Sequence, residues 1–458
     1  MAKNKSYEIN MCEGPLLGKM LLFALPLMFS SILQLLFNAA DVIVVGRFAG
    51  DNALAAVGSN VALINLLVNF FMGLSVGANV LAARYYAAKE QKALSDTIHT
   101  AIFVSIISGI FLTIFGVIAA KQLLIWMDTP QEVLQLATTY LRVYFFGMTA
   151  MMVYNFGAAI LRAVGDTRRP LYFLIFAGVI NVILNLIFVI YFKMSVMGVG
   201  LATVISQCIS AFLIIRCMMT DNGSIQLRIR ELRLDKDIFI RFLKIGLPAS
   251  FQGLLFSLSN VIIQTSVNSF GAVVVAGNSA ASNLEGFVYV SMNAFHQTAI
   301  SFMSQNYGAG KYERINKILV RALVSVMIVG LVFGNLFVAC SRPLLGLYTS
   351  SGKVIDAGVL RIAVVCGTYC LCGMMDVMVG CLRGLGYSVM PMLVSLVGAC
   401  GLRLLWIFTF FKIEQFHTPF SLYITYPVSW TITFIAHVIC FSIVRRRINN
   451  KNIEQKYL

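Results

Sequence analysis

Charge is what this sequence holds least of: Asp, Glu, Lys and Arg make up 12% of its 458 residues, against 59% hydrophobic. That balance excludes a soluble globular domain. Carboxylates are rarer still, 19 against 35 lysines and arginines, for a formal charge of +16. Such an excess could suit nucleic acid, but the cations sit in short segments between apolar runs, which is the pattern of membrane topology, and no nucleic-acid partner is expected. Metal-ligand spacing is absent as well. The ten cysteines are scattered without a CxxC, and His99, His296, His417 and His437 stand far apart. The cysteines therefore read as small core residues and the histidines as structural. No HExxH or comparable His/Asp/Glu or Ser/Lys constellation marks an intramembrane enzyme. The glycines of MGLSVGANV (Met72–Val80) form no phosphate loop, since no strand precedes them and no GK[ST] follows; they suit close helix approach or bending. The polar start MAKNKSYEINMCEG leads into an apolar run too long for a signal-peptide core, so no cleavable signal is expected.

What the chain does contain is apolar runs long enough to cross a bilayer, for which an α-helix needs about 20 residues. Twelve are counted, near 16–45, 53–83, 95–120, 132–160, 170–192, 196–219, 239–269, 273–305, 316–339, 354–381, 388–411 and 421–444. With the N-terminus in the cytoplasm, 26 of the 35 Lys and Arg fall on inner segments, Arg383 among them, and 6 on outer ones. This asymmetry predicts an inner-membrane protein with both termini cytoplasmic.

The two halves repeat. ILRAVGDTRRP (Ile160–Pro170) returns as CLRGLGYSVMP (Cys381–Pro391), FALPLMFSSILQLLFN (Phe23–Asn38) as KIGLPASFQGLLFSLSN (Lys244–Asn260), and YYAAK (Tyr85–Lys89) as NYGAGK (Asn306–Lys311), all at an offset near 221. An all-α fold of two pseudo-symmetric six-helix bundles follows, related by an axis along the membrane normal. The expected layout is an N-terminus over 1–15, an N-lobe over 16–219, a polar cytoplasmic linker over 220–237, a C-lobe over 238–444 and a basic tail over 445–458.

The first run carries one acid, Asp41, at a cost of about 2.5–3.5 kcal/mol for a carboxylate at mid-helix. Ser31, Gln34, Asn38 and Asp41 share a helical face, which aims the acid away from lipid. Either Asp41 snorkels to water beside Arg47, or it takes up and releases a cation; an ionisable residue in a span favours the second. Pro26 cannot donate to the helix ladder and marks a bend, with Pro248 as its counterpart in the second half. Further stripes place Asn181 with Asn185, Thr203 with Gln207 and Ser210, and Asn278, Ser282, Glu285, Tyr289, Asn293 and His296 on single faces. Cys372 and Asp376 lie in the tenth run. Interhelical hydrogen bonding accounts for the lone hydroxyls and amides, whereas Glu285 and Asp376 cost more to bury and point to a water-filled cavity.

The run LPLMFSSILQLLFNAADVIVVGRF, the pair ILRAVGDTRRP and CLRGLGYSVMP, and the tandem layout together resemble the multidrug and toxic compound extrusion (MATE) family, over about Leu16–Val444. The resemblance implies two lobes around a cavity and the antiport of organic, often cationic, compounds against H⁺ or Na⁺; no other cofactor is expected, and the protein is expected to be a monomer. By position, Asp41 matches the first-helix coupling carboxylate, with Na⁺ an alternative to a proton there, and Asn181 and Thr203 match its neighbours. Asn185 stands where the DinF-type branch commonly has Asp. Asp376 matches a tenth-helix acid of NorM-type members and Glu285 an eighth-helix acid of others. Gln34, Asn38, Glu285, Tyr289, His296 and Asp376 are then expected to face substrate, and Pro26 and Pro248 to act as hinges. A flippase for lipid-linked saccharides has a related layout, but it should line its cavity with several Arg or Lys, and only Arg403 lies at mid-span here.

Overall fold

Where no water reaches the backbone, its N–H and C=O groups must pair within their own segment, and a helix achieves that. The computed structural model describes residues 7–221 and 223–457 and is helical nearly throughout, with no strand among the described residues. The first half contains α1 (Leu16–Phe48), α2 (Asp51–Ala87), α3 (Gln91–Trp126), α4 (Gln131–Phe146), α5 (Met148–Ala163), α6 (Arg168–Leu186) and α7 (Ser195–Met219). The second contains α8 (Lys236–Asn268), α9 (Ala272–Gly308), α10 (Ile315–Ala339), α11 (Ser341–Gly346), α12 (Gly352–Val365), α13 (Tyr369–Gly384), α14 (Val389–Ser395), α15 (Leu402–Phe408) and α16 (Pro419–Tyr457).

Among the described residues ten helical segments are long and apolar enough to span a membrane, and α4 with α5, bent by 46° at Gly147, supplies an eleventh. Helix α9 (37 residues) is long enough to cross as well, but the polar residues of its stripe keep it below the hydropathy of the other spans. With α9 counted, the architecture is the expected all-α, twelve-span one. Lys3 and Lys5, and the side chains of Lys451 and Lys456, lie outside the described residues. Arg383 departs from its expected place in an inner loop, because it belongs to α13 and is buried there.

Contacts divide the chain into two compact units. Unit 1 comprises the N-terminal residues to Cys12, Leu25–Ser250 and Gly308–Gly310; unit 2 comprises Glu13–Ala24, Phe251–Tyr307 and Lys311–Leu458. In unit 1, α5 packs on α2 and α3, and α7 on α4, α5 and α6. Gly73 and Gly77 of α2 lie against the backbone of Ser250 and Phe242, where a Cβ would overlap it. That is the close helix approach the small-residue run anticipated. In unit 2, α13 packs on α10 and α16 around a core that includes Cys372, Met375, Tyr423, Tyr426 and Trp430.

Pro26 and Pro248 both lie inside their helices without ending them, and α16 carries a third internal proline, Pro427. The polar stretch after α7 is docked on unit 1. Ile225 and Leu227 are buried, Arg233 pairs with Asp96 at 2.8 Å, and the Asp235 N–H donates to Thr100 Oγ1 at 3.2 Å.

Candidate functional site

The stripe on α1 faces a cavity inside unit 1. Gln34, Phe37, Asn38 and Asp41 line it from α1, Asn155 from α5, Gly178 and Asn181 from α6, and Thr203, Gln207 and Ser210 from α7. The helical spacing of the α1 residues turns them to one side, and Gly178 lets the Phe37 ring lie directly on α6, in space a Cβ would fill. Asn185 Nδ2 donates to Asp41 Oδ1 and, at 3.3 Å, to Asn181 Oδ1. Asn181 Nδ2 reaches Thr203 Oγ1 at 3.5 Å, and Thr203 donates to the Val199 carbonyl at 3.0 Å. Asp41, Asn185, Asn181 and Thr203 therefore form one chain of polar contacts. Asn185 is fully buried, and its Oδ1 has no hydrogen-bond partner among the described residues. Arg47, the alternative partner for Asp41, makes no ion pair with it.

The cavity measures about 80 Å³. One water needs roughly 10–15 Å³ by such a measure, and drug-sized ligands occupy about 300–1,000 Å³. Its size suits an ion or a few waters rather than an organic molecule.

The other four expected substrate-facing residues lie in unit 2, and not all of them have the anticipated character. Both oxygens of Glu285 are taken by Arg361, from Nε at 2.7 Å and Nη2 at 2.8 Å, with each side chain under a tenth exposed. Arg361 Nη1 also donates to Asn278 Oδ1 at 2.7 Å. Glu285 is thus one half of a buried ion pair, and its charge is already compensated. Asp376 is partly buried; the Tyr289 hydroxyl and Arg383 bear on it, and His296 Nδ1 donates to its backbone carbonyl at 2.6 Å. His296 is buried, while Tyr289 is exposed. Unit 2 also holds three buried arginines, Arg361, Arg383 and Arg403, rather than Arg403 alone. Arg383 Nη2 donates to Gln252 Oε1 at 2.8 Å.

Sequence reasoning missed the Glu285–Arg361 pair, although both residues interrupt apolar runs of the same half. It also missed a polar group at the start of unit 1. There Tyr86 donates to Glu8 at 2.7 Å, the Ile9 N–H donates to the Gly165 carbonyl at 3.2 Å, and Arg169 bridges Asp166 and, at 3.7 Å, Asp221.

A sequence model of the MatE family matches this chain twice, over residues 26–187 and 248–409. The chain is 26% identical over 392 residues to the probable multidrug resistance protein YoeA of Bacillus subtilis, covering 84% of each. It is 23% identical over 397 residues to the probable multidrug resistance protein NorM of Thermotoga maritima, covering 86% of this chain and 85% of that one. Among solved structures, a MATE protein in the bent conformation superposes with a TM-score of 0.88 at 19% identity, over 98% of this chain and 99% of that one. A MOP superfamily transporter from Pyrococcus furiosus, described as having a binding pocket of reverse polarity, superposes at 0.90 and 19% identity, over 98% and 100%. At such identities the structural likeness is one of fold.

Proposed function

This chain belongs to the MatE family, and from that premise we propose that it is a secondary active efflux antiporter, exporting organic, often cationic, compounds in exchange for H⁺ or Na⁺. The family's members are transporters rather than enzymes, and the relatives named above are multidrug resistance proteins. The observation that carries the coupling half of the proposal is the Asp41–Asn185–Asn181–Thr203 chain at an ion-sized cavity.

Asp41 takes up the coupling cation. A proton would neutralise the carboxylate; Na⁺ would be held by it together with the amide and hydroxyl oxygens of Asn181, Asn185 and Thr203, a set of hard oxygen donors. Gln34 and Asn38, on the same face of α1, are where an organic cation would meet the carboxylate in a state whose cavity is wider than the ion-sized one described above. Exchange requires that ion and substrate favour different states of the protein. Pro26 and Pro248 supply the points at which α1 and α8 change shape. Each positive charge moving inward gains about 2.3 kcal/mol per 100 mV of membrane potential. In this reading the protein works as a monomer in the inner membrane, with both termini cytoplasmic, and the lobes run over 16–219 and 238–444.

The deciding experiment is transport of ethidium by purified protein in liposomes, with pH and Na⁺ gradients imposed separately. Uptake driven by one gradient in the wild type and lost in Asp41→Asn at equal reconstitution is the expected result. Undiminished gradient-driven transport by Asp41→Asn would overturn the assignment of the coupling site.

A further inference from the structure

Helices α10 and α16 of unit 2 both pack on α13, and one arginine ties them together at the end of the spans assigned above to the cytoplasm. Arg445 Nε donates to Asn316 Oδ1 at 3.2 Å, and its Nη2 donates to the Tyr312 carbonyl at 2.9 Å. Arg445 also feels the carboxylate of Glu313, so its charge is already engaged. Helix α10 begins at this corner and α16 leaves the membrane there, so the two run in opposite directions.

That geometry decides which neighbours meet. Each residue turns a helix by about 100°. Viewed from this end, the step is clockwise along α10 and anticlockwise along α16. With Asn316 turned towards Arg445, Lys317 and Arg446 are carried to the same side of the pair. Arg321, one turn after Lys317, stays with them. Arg447, a further step along α16, is turned away. Exposure agrees with this placement. Lys317, Arg321 and Arg446 are exposed, and so are Val324 and Ile328 on α10 and Ile439 and Ile443 on α16. On each helix these residues follow one another at spacings of three and four, so the cations crown a lipid-facing apolar stripe. None of the three makes an ion pair among the described residues.

Positive charge at the inner end of a span ordinarily does no more than set topology. Here cations from two helices converge above a shared apolar face, and a basic corner between spans on the cytoplasmic side suits an anionic headgroup. Their long stems lie along the apolar surface while the charged heads reach the interface. A phosphodiester there accepts charge-assisted hydrogen bonds from guanidinium and ammonium alike. We propose that the corner between α10 and α16 binds an anionic diacyl phospholipid of the cytoplasmic leaflet, its phosphate held by Lys317, Arg321 and Arg446 and its acyl chains lying on the stripes below them. The inference goes beyond the efflux reading. Equilibrium binding of lipid needs neither a gradient nor Asp41, so Asp41→Asn should bind it as the wild type does, and the two readings fail separately.

Native mass spectrometry of the full-length protein in a neutral detergent tests this, with phosphatidylglycerol or phosphatidylcholine added at equal concentration. Phosphatidylglycerol is expected to be retained where phosphatidylcholine is not. A Lys or Arg near a membrane surface is worth about a fivefold change in affinity. Lys317→Gln and Arg446→Gln should each weaken phosphatidylglycerol by that factor. Arg447→Gln, which removes the same charge one residue away, should leave it unchanged. All three positions are exposed, and melting curves without lipid check folding. If Arg446→Gln fails to fold, Lys317→Gln against Arg447→Gln carries the same comparison. Equal retention of the two lipids overturns the proposal. So does equal loss from the turned-away and the converging cations, since diffuse attraction to the basic tail would then account for binding. Displacement of phosphatidylglycerol by glycerol phosphate at matched concentration would assign the corner to a free phosphate and overturn the lipid as its occupant.

Discussion

The side-chain amide of Asn185 donates to the carboxylate of Asp41 across 144 residues of sequence, tying α6 to α1. The position that the resemblance to the DinF-type branch would fill with a second acid thus holds a neutral donor to the first. The cavity is lined by one carboxylate among the described residues, that of Asp41.

Asn185→Ala should therefore impair coupling without unfolding the protein. A hydrogen bond to a charged group contributes about 1.5–3 kcal/mol, so gradient-driven efflux is expected to fall by about tenfold or more. Thermal unfolding should shift by no more than that hydrogen bond, since Asn185 is fully buried but its Oδ1 has no partner among the described residues to lose. Efflux assays and melting curves on the same preparation separate the two effects. Normal coupling in Asn185→Ala would remove the amide from the mechanism.

Packing at the same place yields a second expectation. Alanine at Gly178 would put a methyl group into the Phe37 ring, which lines the cavity beside Asp41. Overpacking of this kind costs about 1–3 kcal/mol. Gly178→Ala should lower the melting temperature and slow transport, and Phe37→Leu should relieve both defects by clearing the space. If the double variant is as impaired as Gly178→Ala alone, the steric account is wrong.

The Glu285–Arg361 pair calls for a different expectation. Breaking a buried ion pair by removing one partner costs about 3–5 kcal/mol, because the other charge is left uncompensated. Glu285→Gln and Arg361→Gln should each destabilise strongly, and the double substitution Glu285→Leu with Arg361→Met should recover much of the loss. A cavity-facing Glu285 that bound substrate would behave otherwise: Glu285→Gln would fold normally and lose affinity for cations only. Melting curves of the three variants decide between these behaviours.

How far the sequence could be read is visible in these residues. Twelve spans were legible because bilayer thickness imposes a length on every apolar run, and the shared face of Gln34, Asn38 and Asp41 because helical periodicity is local. The company of Asp41 came from the family resemblance, which by position puts Asn181 and Thr203 beside it; the interrupted apolar runs alone show only separate polar faces. The partner of Glu285 could not be named. Its ion pair joins α9 to α12 across 76 residues, and periodicity says which side of a helix a residue faces, not what meets it there. Arg383 was assigned to a loop because positive charge near a helix end ordinarily is; burial in α13 with Gln252 as partner is a tertiary fact. The polar linker looked like a solvated connection, yet it is fastened along unit 1 by backbone N–H groups, which leave no trace in composition.

That fastening is open to direct measurement. His99 Nδ1 lies 2.7 Å from the Ser95 carbonyl and must donate to it, which leaves Nε2 to accept the Arg228 N–H at 3.2 Å. Replacing His99 with Ala removes the acceptor for a backbone donor on the docked stretch. Hydrogen exchange over residues 225–235 should accelerate in His99→Ala while the helices keep their protection. Unchanged exchange there would show that Ile225 and Leu227 hold the segment without the imidazole.

The N-terminal segment should respond to pH through Glu8. Burial pushes its carboxyl above the ordinary value; the hydrogen bond from Tyr86 opposes this, the Asp221 carboxylate adds to it, Arg169 opposes it and Asp166 adds again. The docked segment therefore holds the Glu8 proton more tightly than an undocked one does. By linkage, docking is strongest where Glu8 is protonated and weakens as pH rises through the raised value. Exchange protection of residues 7–12, corrected for the intrinsic pH dependence of exchange, should fall with rising pH over that interval. Glu8→Gln, which keeps an acceptor for Tyr86 but cannot ionise, should hold the protection level constant. Protection that increased with pH in the wild type would mean the ionised carboxylate is the favoured form, and that the Tyr86 hydrogen bond together with Arg169, rather than burial, governs the segment.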